Sequence, residues 1–132
     1  MLTNEIKQLF ESQDIAAVGT VSADGKPNIA PIYWKKVIDE KTIWFIDNFM
    51  KQTAANIKEN GKMCVSFWDA QNNKGYKLVG TGVYHASGKI FNEGVKWIRS
   101  KSPAKNPRGV IEFKIEEIYN QCPGPAAGEK LA

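Results

Sequence analysis

The stretch from Thr42 to Asp69 constrains the fold more than any other part of the chain. Residues 42–48 are rich in β-branched and aromatic side chains, which favour a β-strand. Apolar residues then recur at helical spacing until Gly61, a residue type suited to ending a helix. Residues 62–69 alternate between two faces, as a strand does. The stretch therefore predicts a strand, a short helix and a second strand.

The start of the predicted helix carries side chains suited to an anion. Free backbone N–H groups at a helix start attract negative charge, and the helix dipole adds to that attraction. Lys51 contributes a full positive charge, while Gln52 and Thr53 contribute hydrogen-bond donors. The sequence therefore predicts a phosphate seat beside a strand that forms one wall of a pocket.

The composition is that of a single ordinary domain. The chain has 132 residues, of which 42% are hydrophobic and 24% charged, enough for a real core. Its net charge of +4 is spread along the sequence, which fits a small anionic ligand, weak nucleic-acid contact or a solvated surface. Cys64 and Cys122 match no metal or redox spacing. With no leader peptide or apolar run of membrane length in view, we expect a reduced, cytoplasmic protein.

The remaining segments predict mostly hairpins. Asp24-Gly25 is a hairpin signal between two strands, and Pro31 places the second of them at a sheet edge, because proline cannot donate to a ladder. Residues 120–132 are predicted to form a C-terminal arm. We expect this arm, with the chain beyond Cys122, to be frayed or to dock on another surface, and fraying is the default expectation. The other predicted elements are helices at 3–13 and 91–100 and strands at 15–22, 27–37, 76–85 and 109–116.

These elements predict one domain over residues 1–132 that is mainly β. The fold class is a six-stranded, mostly antiparallel Greek-key barrel with three short helices, since a sheet of this size usually removes its edges by closing.

Most enzyme classes find no support in the sequence. His85 is the only histidine, so a structural role is favoured over a metal or triad role. No phosphate-binding loop is present, and Gly80-Thr81-Gly82 lies inside a predicted strand rather than at a strand-to-helix turn. No residue is predicted to be catalytic or to bind a metal. Aromatic side chains are plentiful, and those not needed for the core suit the walls of a planar cofactor.

Two segments carry a family resemblance. Residues 23–35 begin Ala-Asp-Gly-Lys-Pro, and residues 43–67 begin Ile-Trp-Phe-Ile-Asp-Asn-Phe-Met-Lys-Gln-Thr. Together they resemble the pyridoxamine 5′-phosphate oxidase-related family of FMN-binding split β-barrels, and the order of elements matches over roughly residues 3–118. The chain is similar in size to the small FMN-binding proteins of that group.

The resemblance implies a site and an assembly. It implies a homodimer with FMN at the subunit interface, so that part of each site would come from the partner chain. Our own expectation for that part is Tyr76, Lys77 and the C-terminal arm. Within one chain the implied cofactor-binding residues fall into three groups. The second predicted strand would line the flavin and ribityl chain, the third would face the isoalloxazine ring, and the helix start would hold the phosphate. In that order they are Ala30, Pro31, Ile32 and Tyr33; Phe45, Ile46 and Asp47; Lys51, Gln52 and Thr53.

Two departures from the family pattern keep alternatives open. Gln52 stands where the family often has Lys or Arg, and the family often has an Arg near the position of Ala30. A deazaflavin such as F420 therefore remains an alternative to FMN. The oxidase's basic, histidine-containing C-terminal segment has no counterpart here, so we expect an activity other than pyridoxamine phosphate oxidation.

Three functions follow as hypotheses. The first is an FMN-binding oxidoreductase or electron-transfer protein, in which the flavin supplies the redox chemistry. The second is a small barrel that binds nucleic acid through positive charge and aromatic stacking, with strongly salt-dependent affinity. The third is a family member that acts only as a dimeric interaction protein.

Overall fold

The computed structural model describes residues 1–132 as three helices and seven strands. The helices are α1 (Asn4–Ser12), α2 (Gln52–Asn60) and α3 (Gly88–Lys101). The strands are β1 (Ala16–Val21), β2 (Pro27–Ile32), β3 (Lys35–Asp39), β4 (Thr42–Asp47), β5 (Lys62–Asp69), β6 (Lys74–His85) and β7 (Gly109–Asn120). None of the three helices has the length and apolar character needed to cross a membrane.

All seven strands form one curled antiparallel sheet in the order β2-β1-β5-β6-β7-β4-β3. The fold is thus mainly β and consistent with a split barrel. The sequence-based count of six strands is wrong, because the predicted strand at 27–37 is two strands. After Ile32 the chain leaves β1, crosses at Tyr33 and Trp34, and pairs with β4 as β3. Both halves are edge strands, so the edge position predicted for Pro31 is confirmed.

The main core lies on one face of the sheet. Phe10 of α1 packs edge-to-face against Phe45 and Phe67, with ring centroids 6.4 and 5.0 Å away. A smaller cluster on the other face of β4 joins Trp44 and Ile46 to Ile98 of α3. The two clusters follow from alternation along β4, since successive side chains of a strand point to opposite faces.

The ends of α1 and α2 match the sequence signals only in part. Thr3 caps α1 by accepting a hydrogen bond from the Ile6 amide at 3.2 Å. Gly61 ends α2 in the left-handed region, with φ of 71° and its amide bonded to the Ile57 carbonyl. No side chain caps the start of α2, where Lys51 occupies the N-cap position. The start of α1 is therefore capped by a side chain, whereas the start of α2 is left open.

The C-terminal segment is paired rather than frayed. β7 runs to Asn120, four residues beyond the predicted end of that strand. The chain then turns back, and the Leu131 amide donates to the Ile118 carbonyl at 2.7 Å. Lys130 also forms an ion pair of 3.0 Å with Glu117. Fraying, the interpretation favoured from the Pro-Gly-Pro composition, is therefore wrong, because the backbone of β7 provides a partner that composition does not reveal.

Candidate functional site: a cleft between β2 and the start of α2

A cleft of about 370 Å³ opens where β2 ends, β4 ends and α2 begins. Its volume lies within the range typical of small-molecule sites. Eight of the ten predicted cofactor-binding residues line it: Ala30, Pro31, Ile32, Tyr33, Ile46, Lys51, Gln52 and Thr53. The structure thus brings together residues from three separate elements, although their role in binding stays a prediction.

Phe45 and Asp47 do not reach the cleft. The prediction assigned three consecutive residues of one strand to a single wall, but side chains alternate along a strand. Ile46 faces the cleft, so its two neighbours point to the opposite face. Phe45 is fully buried in the main core, where its ring packs against Phe113 at 6.3 Å.

Asp47 instead organises the loop between β4 and α2. The residue is 1% exposed, and its side chain accepts a hydrogen bond from the Met50 amide at 2.7 Å. The Tyr84 hydroxyl donates to its second oxygen, and the Arg108 guanidinium lies 3.3 Å from the first. Burial, followed by the bond to Asp47, raises the pKa of Tyr84, so this hydroxyl stays a donor over the ordinary pH range. Asp47 therefore holds the loop in place without touching the cleft.

The polar end of the cleft lies at the open start of α2. The first backbone N–H groups of a helix have no partner within it, and here no side chain supplies one. Lys51 is exposed beside them. The side-chain amide of Gln52, by contrast, is turned toward Asn56 and donates a hydrogen bond to its side-chain oxygen at 2.7 Å. The open helix start and Lys51 are therefore the stronger elements of the predicted phosphate seat.

Thr53 belongs to a buried polar network that fixes this end. Its hydroxyl accepts from the Asn28 side chain at 3.1 Å, and Asn28 also donates to Thr20 at 3.2 Å. Asn56 donates to the same Thr20 hydroxyl at 2.9 Å. Because buried polar groups that are mutually bonded rigidify their surroundings, the network locks the start of α2 onto β1 and β2.

The apolar walls are aromatic and open to solvent. Phe49 is 86% exposed and Tyr33 is 54% exposed, both at the cleft. Tyr33 meets Trp34 edge-to-face with centroids 5.0 Å apart, and Trp34 is backed by Trp97 of α3 at 6.1 Å. Exposed flat apolar side chains gathered at one cleft are a feature typical of binding surfaces.

The prediction missed five cleft residues: Asn28, Trp34, Asn48, Phe49 and Met50. Asn48, Phe49 and Met50 directly follow the end of β4, which was already assigned to the site. Their position in the sequence was the signal that could have identified them as cleft residues. Asn28 lies two residues before Ala30 on the same strand, so strand alternation was a signal that could have placed it on the same face. Trp34 gave none, because the crossover from β2 to β3 was not foreseen.

One further observation, at Asn48, indicates that the cleft fits a flavin. The side-chain oxygen of Asn48 is buried without a hydrogen-bond partner. Such an orphaned acceptor costs free energy unless a donor reaches it. An oxidised isoalloxazine ring is flat, largely apolar and carries one ring N–H donor, so aromatic walls with an unpaired acceptor suit it. The open helix start and Lys51 suit its phosphate.

Three other predicted participants lie elsewhere in the chain. Tyr76 is buried against Phe67, and the Lys77 ammonium sits 4.6 Å from the Tyr119 ring centroid. The C-terminal arm pairs with β7. None of the three lines the cleft of its own chain. His85 contacts Glu112 at 3.1 Å, also away from the cleft, in keeping with a structural role.

Comparison with known proteins decides the family. The family model described as pyridoxamine 5′-phosphate oxidase matches residues 2–122. The chain belongs to this family. A curated member of unassigned function from Methanocaldococcus jannaschii is 36% identical over 133 residues, covering 99% of this chain and 88% of its own length. The structure of HupZ from Group A Streptococcus is 35% identical, has a TM-score of 0.85, and covers 97% of this chain and 100% of HupZ.

More distant members of the fold carry different cofactor names. An FMN-binding protein from Syntrophomonas wolfei has a TM-score of 0.74 at 22% identity, covering 86% of this chain and 81% of that one. An F420 reductase has 0.68 at 19%, covering 89% and 98%. HutZ, the heme storage protein of Vibrio cholerae, has 0.70 at 12%, covering 90% and 94%. At these identities the likeness establishes the shared fold alone.

Proposed function

We propose that this member of the pyridoxamine 5′-phosphate oxidase family binds FMN in the cleft and acts as a flavin oxidoreductase or electron-transfer protein. One observation carries the proposal: aromatic walls and an uncapped helix start with Lys51 meet in a single cleft of about 370 Å³. A flat apolar ring with one anionic end is the ligand chemistry that matches both ends at once.

The division of labour follows from the side chains present. A bound flavin would supply hydride or single-electron chemistry. Lys51 and the first amides of α2 would hold the phosphate, with the Thr53 hydroxyl beside them. Phe49 and Tyr33 would cover the ring and keep water from it, while Asn48 would accept a hydrogen bond. No side chain in the cleft is an evident acid or base, so the protein's part is binding and orientation.

The exposure of the cleft supports a homodimer. Phe49 and Tyr33 form an apolar rim that one chain leaves uncovered. A second copy that closes this rim would complete the site, and Tyr76, Lys77 and the C-terminal arm stay the predicted contributions of that copy.

A cytoplasmic location likewise stays a prediction from the two unpaired cysteines.

F420 is the second candidate. Gln52 offers no positive charge at a position where the family often has one, and its amide is engaged with Asn56. A cofactor that depends less on a tight phosphate clamp is thus compatible with the cleft, and an F420 reductase shares the fold.

The test is the visible spectrum of the purified protein, with the released chromophore identified by mass. We expect the two-band spectrum of oxidised flavin and the mass of FMN, or uptake of added FMN by protein that is purified without it. Lys51→Ala should weaken FMN binding roughly tenfold or more, as expected for loss of a charged hydrogen-bond donor. Lys7→Ala, which removes an exposed lysine of α1, is the matched control.

Other outcomes redirect the proposal. A single-band deazaflavin spectrum with the mass of F420 would support the second candidate. Colourless protein that takes up neither cofactor would rule out both. Binding to a labelled oligonucleotide that falls steeply with salt would then favour the nucleic-acid hypothesis.

A further inference from the structure

A second cavity lies on the far side of the loop that borders the cleft. It measures about 310 Å³ and is formed by the end of β4, one side of α2, the end of β6 and Arg108. We call it the Arg108 pocket. Its charged and polar lining consists of Asp47, Lys51, Lys58, Tyr84 and Arg108. Lys51 is common to both cavities, and the Arg108 pocket shares no other polar residue with the cleft.

The Arg108 pocket is positively charged. Three of its side chains are cations, and Asp47 is its only carboxylate. That carboxylate is buried and already accepts hydrogen bonds from the Met50 amide, Tyr84 and Arg108. It therefore has little capacity left to neutralise the two lysines. Like charges gathered at one cavity repel each other, and an anion relieves that repulsion.

Two of the cations are held in position. The Arg108 guanidinium bonds both the Asp47 side chain and the Met50 carbonyl through one nitrogen, and the side chain remains 53% exposed. Its other N–H groups are thus free to donate. The Lys58 ammonium lies 4.4 Å from the centroid of the Tyr84 ring, within cation–π range. A guanidinium fixed at one end is well suited to a phosphate, which it binds by parallel hydrogen bonds.

The rest of the lining leaves room for a ligand. Apart from Met50 it consists of three small residues, Ala54, Ala55 and Ala86. We propose that the Arg108 pocket binds the phosphate group of a small phosphorylated molecule, separately from the cofactor cleft. Arg108 and Lys58, which line this pocket and not the cleft, carry the recognition. This site does not depend on which cofactor occupies the cleft.

The experiment is a calorimetric titration of the purified protein with inorganic phosphate at constant ionic strength and pH. We expect saturable binding, weakened about fivefold or more by Lys58→Gln. Lys58 is exposed on α2, so this variant should fold normally. Arg108→Lys keeps the charge and loses the guanidinium fork, and should also weaken binding. Lys62→Gln removes an exposed lysine outside both the cleft and the Arg108 pocket and should leave binding unchanged.

A variant of the cleft separates the two cavities. Thr53→Val alters the start of α2 at the cleft and should leave phosphate binding in the Arg108 pocket intact. The proposal is overturned if phosphate binding is not saturable. It is also overturned if Lys58→Gln has no effect, or if binding is lost with Thr53→Val and kept with Lys58→Gln. Failure of FMN binding would leave these results unchanged, so the two proposals fail independently.

Discussion

The cleft and the Arg108 pocket lie on opposite sides of one short loop and differ in how their polar groups are satisfied. In the cleft, the Asn48 oxygen and the first amides of α2 have no partner, and the aromatic rim is exposed. On the other side, Asp47 is buried and accepts bonds from three groups. The cleft thus leaves polar groups unpaired for a ligand, whereas Asp47 is fully used in holding the loop. A ligand of the Arg108 pocket therefore has to bind through Lys58 and the remaining N–H groups of Arg108.

That difference separates binding residues from positioning residues within a run of consecutive positions. Asp47 and Asn48 are neighbours, yet the Asp47 carboxylate is hydrogen-bonded inside the protein, whereas Asn48 lines the cleft and its side-chain oxygen has no partner. Changes at the first should act on folding, and changes around the second should act on ligand binding. The four experiments below test this distinction.

Replacing Asp47 has the largest expected effect. Asp47→Ala leaves the Tyr84 hydroxyl, the Met50 amide and Arg108 without their shared acceptor. Removing one partner from a buried, hydrogen-bonded charge typically costs about 3 kcal/mol. The free energy of unfolding from urea denaturation should fall by about that amount. Asp14→Asn, at an exposed carboxylate, should change it little, and equal losses in the two variants would contradict the special role of Asp47.

A pair of threonine variants sharpens the comparison at the cleft. Thr53→Val removes a hydroxyl that accepts from Asn28 and should cost about 1 kcal/mol of stability. Thr20→Val removes a hydroxyl that accepts from both Asn28 and Asn56 and should cost about 2 kcal/mol. Only Thr53 lines the cleft. FMN affinity measured by fluorescence quenching should therefore fall roughly tenfold in Thr53→Val and remain near wild type in Thr20→Val. Equal losses of affinity would place both residues in a purely structural role.

The hydrogen bond from the Tyr84 hydroxyl to Asp47 makes the stability of the folded protein depend on pH. Its pKa is raised in the folded protein, so the folded state holds this proton more tightly than the unfolded chain. The stabilisation is complete below the unfolded value of about 10 and is lost as the pH rises above it. Tyr84→Phe should lower stability by about 1 kcal/mol at neutral pH. It should also flatten the decline measured by denaturation between about pH 9.5 and 12, and an unchanged slope would speak against the bond to Asp47.

The smallest expected effect is a gain at the cleft. Gln52→Lys adds a positive charge at the start of α2, where the family often carries one. A partly exposed charge beside an anion contributes less than about 1 kcal/mol, so FMN affinity should rise about threefold. The gain should shrink at high salt, since exposed charges are screened. Gln71→Lys, in the exposed loop after β5, is the matched control.

The local signals in the sequence were enough for most of the fold. β4, α2 and β5 appear where apolar periodicity places them, and Gly61 ends α2 as its residue type predicts. The family resemblance named ten cofactor-binding residues, and eight of them are among the thirteen residues that line the cleft. The helix start itself was readable from the residues alone. These predictions succeeded because capping, alternation and helical periodicity depend only on neighbours in sequence.

The failures concern long-range geometry. Whether the chain continues along β1 after Ile32 or crosses to β4 depends on how the whole sheet curls, so the seventh strand was missed. The Asp47 network was missed because Tyr84 and Arg108 are 37 and 61 residues away along the chain. The arm after Cys122 was misread for the same reason, since its partner lies on β7.

The crossover at Tyr33 and Trp34 has one further consequence. It makes the two edge strands of the sheet consecutive along the chain, and a single backbone bond from the Ile46 amide to the Trp34 carbonyl, at 3.0 Å, secures the crossover against β4. An edge held by few bonds opens locally at low free-energy cost. The rate of hydrogen exchange at the Ile46 amide therefore measures how often this bond between the crossover and β4 opens. A ligand in the cleft that stabilises the bond should slow that exchange.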